Sequence, residues 1–123
     1  MRVISQDGTI DVPYDYFSLS VASGKYEDVE VAYIYCHNLS SPNGTKLAEY
    51  STEAKANKVM EMLRDQYKGL EVFKVLASGT AEHMEKSFNS DELKEYIRAY
   101  HDINVFQFPQ DNEIIRNIYC SVL

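Results

Sequence analysis

Alternating apolar and polar side chains predict strands along the first third of the chain. Residues 2–12 contain two short β-prone runs on either side of Gly8, which suits the left-handed position of a hairpin turn. Pro13 then ends the second run, because proline cannot donate to a strand ladder. Residues 17–21 alternate apolar side chains with serines, and residues 29–37 carry apolar side chains on both faces. We therefore expect an N-terminal hairpin, a half-buried strand and a central strand covered on both sides.

Turn signals divide the next part of the chain. Residues 23–28 are predicted to form a turn and residues 38–44 a loop, because both segments are rich in glycine, serine and other polar residues. Residues 45–50 then supply another strand, which leads directly into a helix.

This helix has the clearest sequence signature in the chain. Ser51 is expected as its N-cap, with Glu53 in the first turn and Gly69 just beyond its end. Apolar residues three or four positions apart form one stripe, made of Ala56, Val59, Met60, Leu63 and Tyr67. The other, polar face carries Lys55, Asn57, Lys58, Glu61 and Arg64. The pattern predicts an amphipathic helix that lies on the sheet.

Further elements are predicted beyond residue 69. Residues 70–78 are expected to return as a strand, and residues 79–80 to cap a short helix. A second capped helix is predicted from Ser90 to near His101, because its apolar residues are spaced for one face.

The C-terminal pattern is a strand followed by a proline and an acidic turn. Residues 103–108 predict the last strand, with Phe106 on the same side as the other phenylalanine, and Pro109 stops it. Asp111 or Asn112 is then expected to cap a final helix. The whole pattern predicts an α+β fold in a single domain, residues 1–123, with one mostly antiparallel sheet, an N-terminal hairpin and three to four helices.

Composition narrows the class of protein. The chain has 123 residues, 45% hydrophobic and 25% charged, which is typical of one globular domain. No apolar run approaches the roughly 20 residues of a membrane span, and the N-terminus lacks an apolar signal core, so we expect a cytoplasmic protein with no membrane partner. A net charge of −7 argues against binding long nucleic acid. Cys36 and Cys120 have no metal or redox spacing and are expected to be free thiols.

Catalytic motifs are absent from the sequence. His37, His83 and His101 have no metal-ligand spacing, and surface or turn positions are expected for them. With five glycines and no nucleophile elbow, the chain carries neither a phosphate loop nor a serine hydrolase signature. We therefore expect a protein that is not an enzyme and uses no metal or cofactor.

Tyrosine is the most unusual feature of the composition. The chain has ten tyrosines and five phenylalanines but no tryptophan, and tyrosine is common where proteins meet partners. Aromatic residues between 88 and 119 lie close in sequence to Arg98 and Arg116. A ring and a guanidinium are the parts that a small nucleotide pocket needs, with Phe106 near enough to Arg116 to share one. The alternative is that Arg98 simply lies on the exposed face of its helix.

Three blocks resemble a family of small proteins from phages and integrated elements of Gram-positive bacteria. They are MRVISQDGTIDVPYDYF, AEYSTEAKANKVMEMLRDQY and FQFPQDNEI, and the segment from 70 to 104 varies in that family. In size and α+β pattern the chain also resembles the first Thoeris anti-defence family. Those phage proteins act as sponges for cyclic ADP-ribose isomers made by bacterial TIR proteins, and some also bind cyclic trinucleotides.

This resemblance implies a function and a set of ligand residues. The protein would sequester a cyclic nucleotide in the host cytoplasm without cleaving it, at pockets shared between subunits of a homo-oligomer, a dimer or larger. Phe88 with Asn89 would hold the adenine, Arg98 and Arg116 the phosphates, and Arg64 a second anion.

Two other functions remain open. One is an acidic protein–protein inhibitor of a bacterial defence nuclease, such as an anti-CRISPR, which the net charge supports. Its acidic residues are, however, interleaved with lysines and form no dense block. The other is a structural or regulatory component of a mobile element that dimerises through an edge strand.

Overall fold

A computed structural model describes residues 1–87 and 90–114, with the backbone alone for residues 77–87 and 90. The strands are β1 (Arg2–Ile4), β2 (Asp11–Pro13), β3 (Ser18–Tyr26), β4 (Val29–Asn38), β5 (Ser41–Tyr50) and β6 (Val105–Gln107), and the helices are α1 (Glu53–Ser87) and α2 (Ser90–Ile103). A 3-10 turn covers Tyr14–Tyr16, and residues 111–114 are helical. The predicted α+β class and N-terminal hairpin are confirmed, with the mostly antiparallel strands divided between two sheets.

The first sheet joins the N-terminus to the C-terminal part of the chain. Its order is β2-β1-β6, with β1 antiparallel to β2 and parallel to β6. Val3 pairs with Val12 and Phe106 and is fully buried. As predicted, Gly8 turns the hairpin with a positive φ of 79°. The Asp7 carboxylate in this turn accepts hydrogen bonds from the side chains of Ser5 and Thr9, which lower its pKa to about 2.

The second sheet is antiparallel and has longer strands, in the order β3-β4-β5. The turn predicted at 23–28 is shorter than expected, because β3 continues to Tyr26 and only Glu27 and Asp28 lie between the strands, both with positive φ. A two-residue loop of this kind matches the twist of the paired strands. The loop predicted at 38–44 is also shorter, since β5 already begins at Ser41.

One face of the second sheet is covered by α1. Ala32 and Ile34 of β4 are fully buried and Cys36 nearly so, in one cluster with the apolar stripe of the helix. Val29 is 67% exposed, and the other residues on the outer face of β4 are partly exposed. The expectation that β4 is covered on both sides was therefore wrong: its outer face stays accessible.

Helix α1 is much longer than predicted. It runs from Glu53 to Ser87 without a break, so the helix end at Gly69, the strand at 70–78 and the capped short helix after residue 79 were wrong. Tertiary packing explains the difference, since α2 lies against this part of α1. The ring of Phe73 stacks on Tyr96 at 5.0 Å, and a Cβ at Gly69 would lie 3.5 Å from Ile103.

The N-cap of α1 lies one residue later than predicted. The backbone N–H of Lys55 donates to the side-chain oxygen of Thr52 at 3.1 Å, which is the geometry of an N-cap. Ser51 instead donates to Asp111. Lys55, expected on the polar face, is only 8% exposed.

The C-terminal elements follow the sequence more closely. Helix α2 begins at Ser90 as predicted and ends at Ile103, two residues past His101, and β6 precedes Pro109.

Within residues 1–87 and 90–114, none of the helices combines the length and the apolar composition of a membrane span.

Candidate functional site

A cleft lies where the β3–β4 hairpin extends past the end of β5. The ladder between β4 and β5 ends at the pair Ala32–Tyr50, so in the described part of the chain residues 29–31 of β4 continue without a strand on that side. Every residue from 22 to 30 is exposed, which means that the hairpin tip projects from the body of the protein. The cleft between this tip and the body has a volume of about 680 Å³.

Four separate parts of the chain line this cleft. The hairpin contributes Tyr26, Glu27, residues 29–31 and Tyr33. The end of β5 contributes residues 49–51. Gln6, Gln110 and Asp111 complete the lining.

The lining is acidic. It includes Glu27, Glu30, Glu49 and Asp111, and neither lysine nor arginine is among the described residues that line it. A cleft with carboxylates of one sign focuses a negative field and attracts cations. We call this feature the acidic cleft.

Two of its four carboxylates have structural partners. Asp111 accepts hydrogen bonds from the backbone N–H of Ser51 at 2.8 Å and from Nζ of Lys55 at 3.0 Å. Burial alone would raise the pKa of the Asp111 carboxyl, but these donors hold it below its usual value. Glu30 accepts from the backbone N–H of Glu53 at 2.9 Å, in the first turn of α1. Both carboxylates therefore tie the cleft to the start of the helix.

The other two carboxylates face solvent. Glu27 is exposed at the turn of the hairpin. Within residues 1–87 and 90–114, the carboxylate of Glu49 has one ionic contact, a long one of 3.9 Å with Nζ of Lys46, and both side chains are about half exposed. Such a contact contributes little to stability, so Glu49 is available to a ligand.

Aromatic rings add a second type of contact. Tyr26 is 74% exposed, and Tyr33 is half-buried with its ring 6.0 Å from that of Tyr35. Nζ of Lys46 lies 5.3 Å from the centre of the Tyr33 ring, within the range of a cation–π contact. The ring therefore already meets the ammonium group of Lys46, whose side chain is about half exposed, and a cation from a partner would replace it.

A hydrogen-bonded serine and histidine on the second sheet do not form a catalytic triad. Oγ of Ser20 lies 2.6 Å from Nε2 of His37. Nδ1 of His37 is buried and has no hydrogen-bond partner in the described part of the chain, so no carboxylate orients the ring.

Metal and thiol chemistry gain no support from the geometry. No cluster of histidine, cysteine and carboxylate side chains within the described ranges is arranged to hold a metal ion. Cys36 is free and buried, as predicted, and burial raises the pKa of its thiol. His101 is exposed, as expected, whereas Cys120 and the side chain of His83 lie outside the described part.

Two of the three arginines predicted for anion binding, Arg64 and Arg98, are not among the residues that line the acidic cleft. Arg64 is exposed on α1. Arg98 is exposed on α2, two residues from Tyr96 and from Tyr100, whose rings contact Phe73 of α1. Two residues along a helix correspond to about 200°, so Arg98 points away from α1. This position agrees with the alternative of an exposed helix face.

Phe106 has a structural position. It is 6% exposed, and its ring meets that of Phe108 edge to face at 5.5 Å. A ring buried in this way packs the core and is not accessible to a nucleotide base. Phe88, Asn89 and Arg116 lie outside the described residues.

Asp111 does not cap the C-terminal helix, contrary to one of the two expectations. Its carboxylate bonds to Ser51 and Lys55, as described above. The first helical turn here is closed by the backbone of Gln110, whose carbonyl accepts from the N–H of Glu113 at 3.1 Å.

Sequence reasoning missed the acidic cleft. Its exposed members include Tyr26, Glu27 and Glu49, which belong to two segments, a predicted turn and a strand end, and the sequence gave no reason to place them together. The available signal was general, namely the tyrosine content and the net charge. A scan of protein-family models, a search among curated proteins and a search among solved structures found no match for this chain.

Proposed function

We propose that the protein acts by binding rather than by catalysis, and that the acidic cleft holds a basic segment of a partner protein. The observation that carries this proposal is the lining of the cleft: Glu27 and Glu49, whose carboxylates face solvent, together with the ring of Tyr33. Carboxylates attract lysine and arginine, and tyrosine rings accept their cations at close range.

The backbone of β4 supports an extended shape for the bound segment. Among the described residues, no strand pairs with residues 29–31 on the β5 side, so the backbone N–H and C=O groups that point to this side can pair with an added strand. In an extended segment, alternate side chains point the same way, so lysines at every second position would face the carboxylates together.

The partner class that fits is a protein with a basic surface, such as a nuclease that binds nucleic acid. Binding there would exclude the nucleic acid, which is the mode of an acidic inhibitor of bacterial defence. A pull-down tests this class of partner. The immobilised chain should capture a Cas nuclease or another defence protein, and the chain that combines Glu27→Gln with Glu49→Gln should not.

A direct test uses a fluorescein-labelled peptide of four Lys-Thr repeats. Fluorescence anisotropy should show binding that weakens about tenfold when Glu27→Gln and Glu49→Gln are combined, because both solvent-facing carboxylates lose their charge. The matched control combines Asp65→Asn with Glu95→Gln, which changes net charge equally at exposed helix positions. If control and cleft variants weaken binding equally, the peptide senses only net charge and the proposal fails.

The cyclic-nucleotide sponge is the second candidate, favoured by a separate observation. Arg64 and Arg98 are exposed on the helices and do not line the acidic cleft, so an anion could meet them away from its negative field. Arg116, Phe88 and Asn89 keep the roles that the family resemblance implies as part of this hypothesis.

The sponge hypothesis has its own test. Incubation with cyclic ADP-ribose isomers or cyclic trinucleotides should deplete the nucleotide, and heating should return it intact. Binding to the folded state should also raise the melting temperature. Arg98→Ala and Arg116→Ala should remove the shift, whereas Lys68→Ala, an exposed cation on α1, should preserve it. No depletion of any cyclic nucleotide would exclude a sponge.

A further inference from the structure

The two edges of the second sheet are built differently. The β5 edge is protected: it contains Pro42, its pairing with β4 shifts register, and Gly44 has a positive φ of 82°. Gln6 also covers it, because its N–H donates to the carbonyl of Leu47 and its side chain bonds to the backbone of Glu49. These features hinder the addition of another strand.

The β3 edge has none of these protections. Its nine residues contain no proline, and all nine pair with β4 in one continuous register. Across the described ranges, β4 is the only strand that pairs with β3. Residues 22–26 are exposed, and Lys25 is the sole charged side chain of the strand. A long, regular edge with small side chains is a template for another strand.

We infer that this edge binds the β3 strand of a second copy, antiparallel about a two-fold axis near Ala22. This register places Ala22 opposite Ala22, Ser20 opposite Gly24 and Val21 opposite Ser23, so only small or branched side chains meet at the centre. Lys25 lies opposite Leu19, and the two lysines are well separated. The strand can therefore pair with itself without a steric clash and without like charges opposite each other, as a two-fold interface requires.

Tyr26 supplies an anchor for the same register. It lies on the outer face of β3, as does Ser18, since the two are eight residues apart in an unbroken strand. The pairing places Tyr26 of the second copy opposite Ser18. Ser18 lines a hollow of about 680 Å³ between residues 15–18 and residues 37–40, which we call the edge hollow.

The burial of exposed apolar side chains favours a second copy over an unrelated strand as the partner of the β3 edge. Tyr26 is 74% exposed, and Tyr16 and Leu39 in the edge hollow are 77% and 103% exposed. In the two-fold arrangement each Tyr26 ring enters the edge hollow of the other copy. The β3-β4-β5 sheet of one copy and that of the other then form one continuous sheet across the dimer.

Sedimentation equilibrium tests this arrangement. At about 50 µM, within the range of a modest interface, the wild-type chain should show twice its monomer mass of 14.1 kDa. Ala22→Lys and Ala22→Glu should each be monomeric, because the axis places like charges opposite each other. An equimolar mixture of the two should restore the dimer mass, which simple misfolding would not do.

Two further variants locate the interface. Tyr26→Ser should weaken the dimer about tenfold by removing the anchor from the edge hollow. Val72→Lys, a 60% exposed position on α1, should leave the mass unchanged. A monomeric wild type, a dimer that survives Ala22→Lys, or a dimer that Val72→Lys dissociates would each overturn the inference. Since the measurement is molar mass, the result is independent of what the acidic cleft binds.

Discussion

The two sheets differ in how far apart in the sequence their paired strands are and in which surfaces they leave exposed. The first sheet pairs β1 with β6, from opposite ends of the described chain, and encloses side chains such as Val3 and Phe106. The second sheet is built from two consecutive hairpins and leaves its outer face and its β3–β4 tip accessible. The comparison indicates that the first sheet closes the fold, whereas the second leaves accessible the surfaces that we propose for binding.

Removing a large core side chain beside the first sheet should have the largest effect. Phe108 is 1% exposed and its ring packs edge to face against Phe106, so Phe108→Ala should lower the free energy of unfolding by about 3–5 kcal/mol. Tyr33→Ala, on the outer face of the second sheet, should cost about 1 kcal/mol or less. Urea unfolding followed by circular dichroism measures both. Equal losses would contradict the division between the two sheets.

A glycine-to-alanine substitution should cost more stability at the β5 edge of the second sheet than at its β3 edge, and this difference should be smaller than the one above. Gly44 has a positive φ, and a Cβ there would lie 2.6 Å from Nδ1 of His37, so Gly44→Ala should destabilise by about 1–3 kcal/mol. Gly24 on β3 has nothing within 4 Å of a Cβ, and Gly24→Ala should change the monomer by about 0.5 kcal/mol or less. Thermal unfolding under dilute conditions compares them. If Gly24→Ala lowered the melting temperature as much as Gly44→Ala, the space around Gly24 on the β3 edge would not be open.

Asp111 follows β6 of the first sheet and bonds to Ser51 and Lys55, which follow β5 of the second sheet, so this contact links the two sheets. Asp111→Asn should cost about 1 kcal/mol, a figure discounted for solvent screening because the Asp111 side chain is 40% exposed. Hydrogen bonds hold the folded-state pKa of Asp111 below its unfolded value of about 3.9. Its contribution is therefore present above that value and is lost as pH falls through the lower, folded-state pKa.

The wild type and Asp111→Asn should thus differ near neutral pH and converge in acid. Urea unfolding between pH 7 and pH 2 checks this. A difference that stays constant over the whole range would mean that the carboxylate charge is not involved.

The smallest effect concerns the helix that covers the second sheet. Because Gly69 lies inside α1 and a Cβ would meet Ile103 at an ordinary 3.5 Å, Gly69→Ala should stabilise the protein by about 0.5–1 kcal/mol. If Gly69 instead ended the helix in a left-handed conformation, alanine would destabilise it. The sign of the change in urea midpoint therefore distinguishes a continuous helix from the shorter one that the sequence predicted.

Local patterns predicted several elements correctly. The turn at Gly8, the stop at Pro13, the apolar stripe with Ala56 and Leu63 and the start of α2 at Ser90 all appear as expected. Each depends on side chains within a few positions, where backbone geometry, capping and periodicity act directly. The same is true of the alternation along β4, although not of what covers its outer face.

Other features depend on contacts that local patterns do not report. Residues 70–76 include valines and a phenylalanine typical of a strand, yet they are helical, with Phe73 packed against Tyr96 and Tyr100. Tertiary packing here outweighs a weak local preference. Phe106 looked available to a ligand from its sequence position, but burial between elements removes it from the surface.

By itself, the sequence determined the class of fold, the main local elements and an acidic, tyrosine-rich character, because these follow from composition and from neighbours along the chain. The tertiary structure alone decided the division into two sheets and the continuous α1. It also brought Glu27, Glu49 and Asp111 to one cleft and left the β3 edge open. These features arise from contacts between residues far apart in the chain, whose free energy is realised only when the elements pack together.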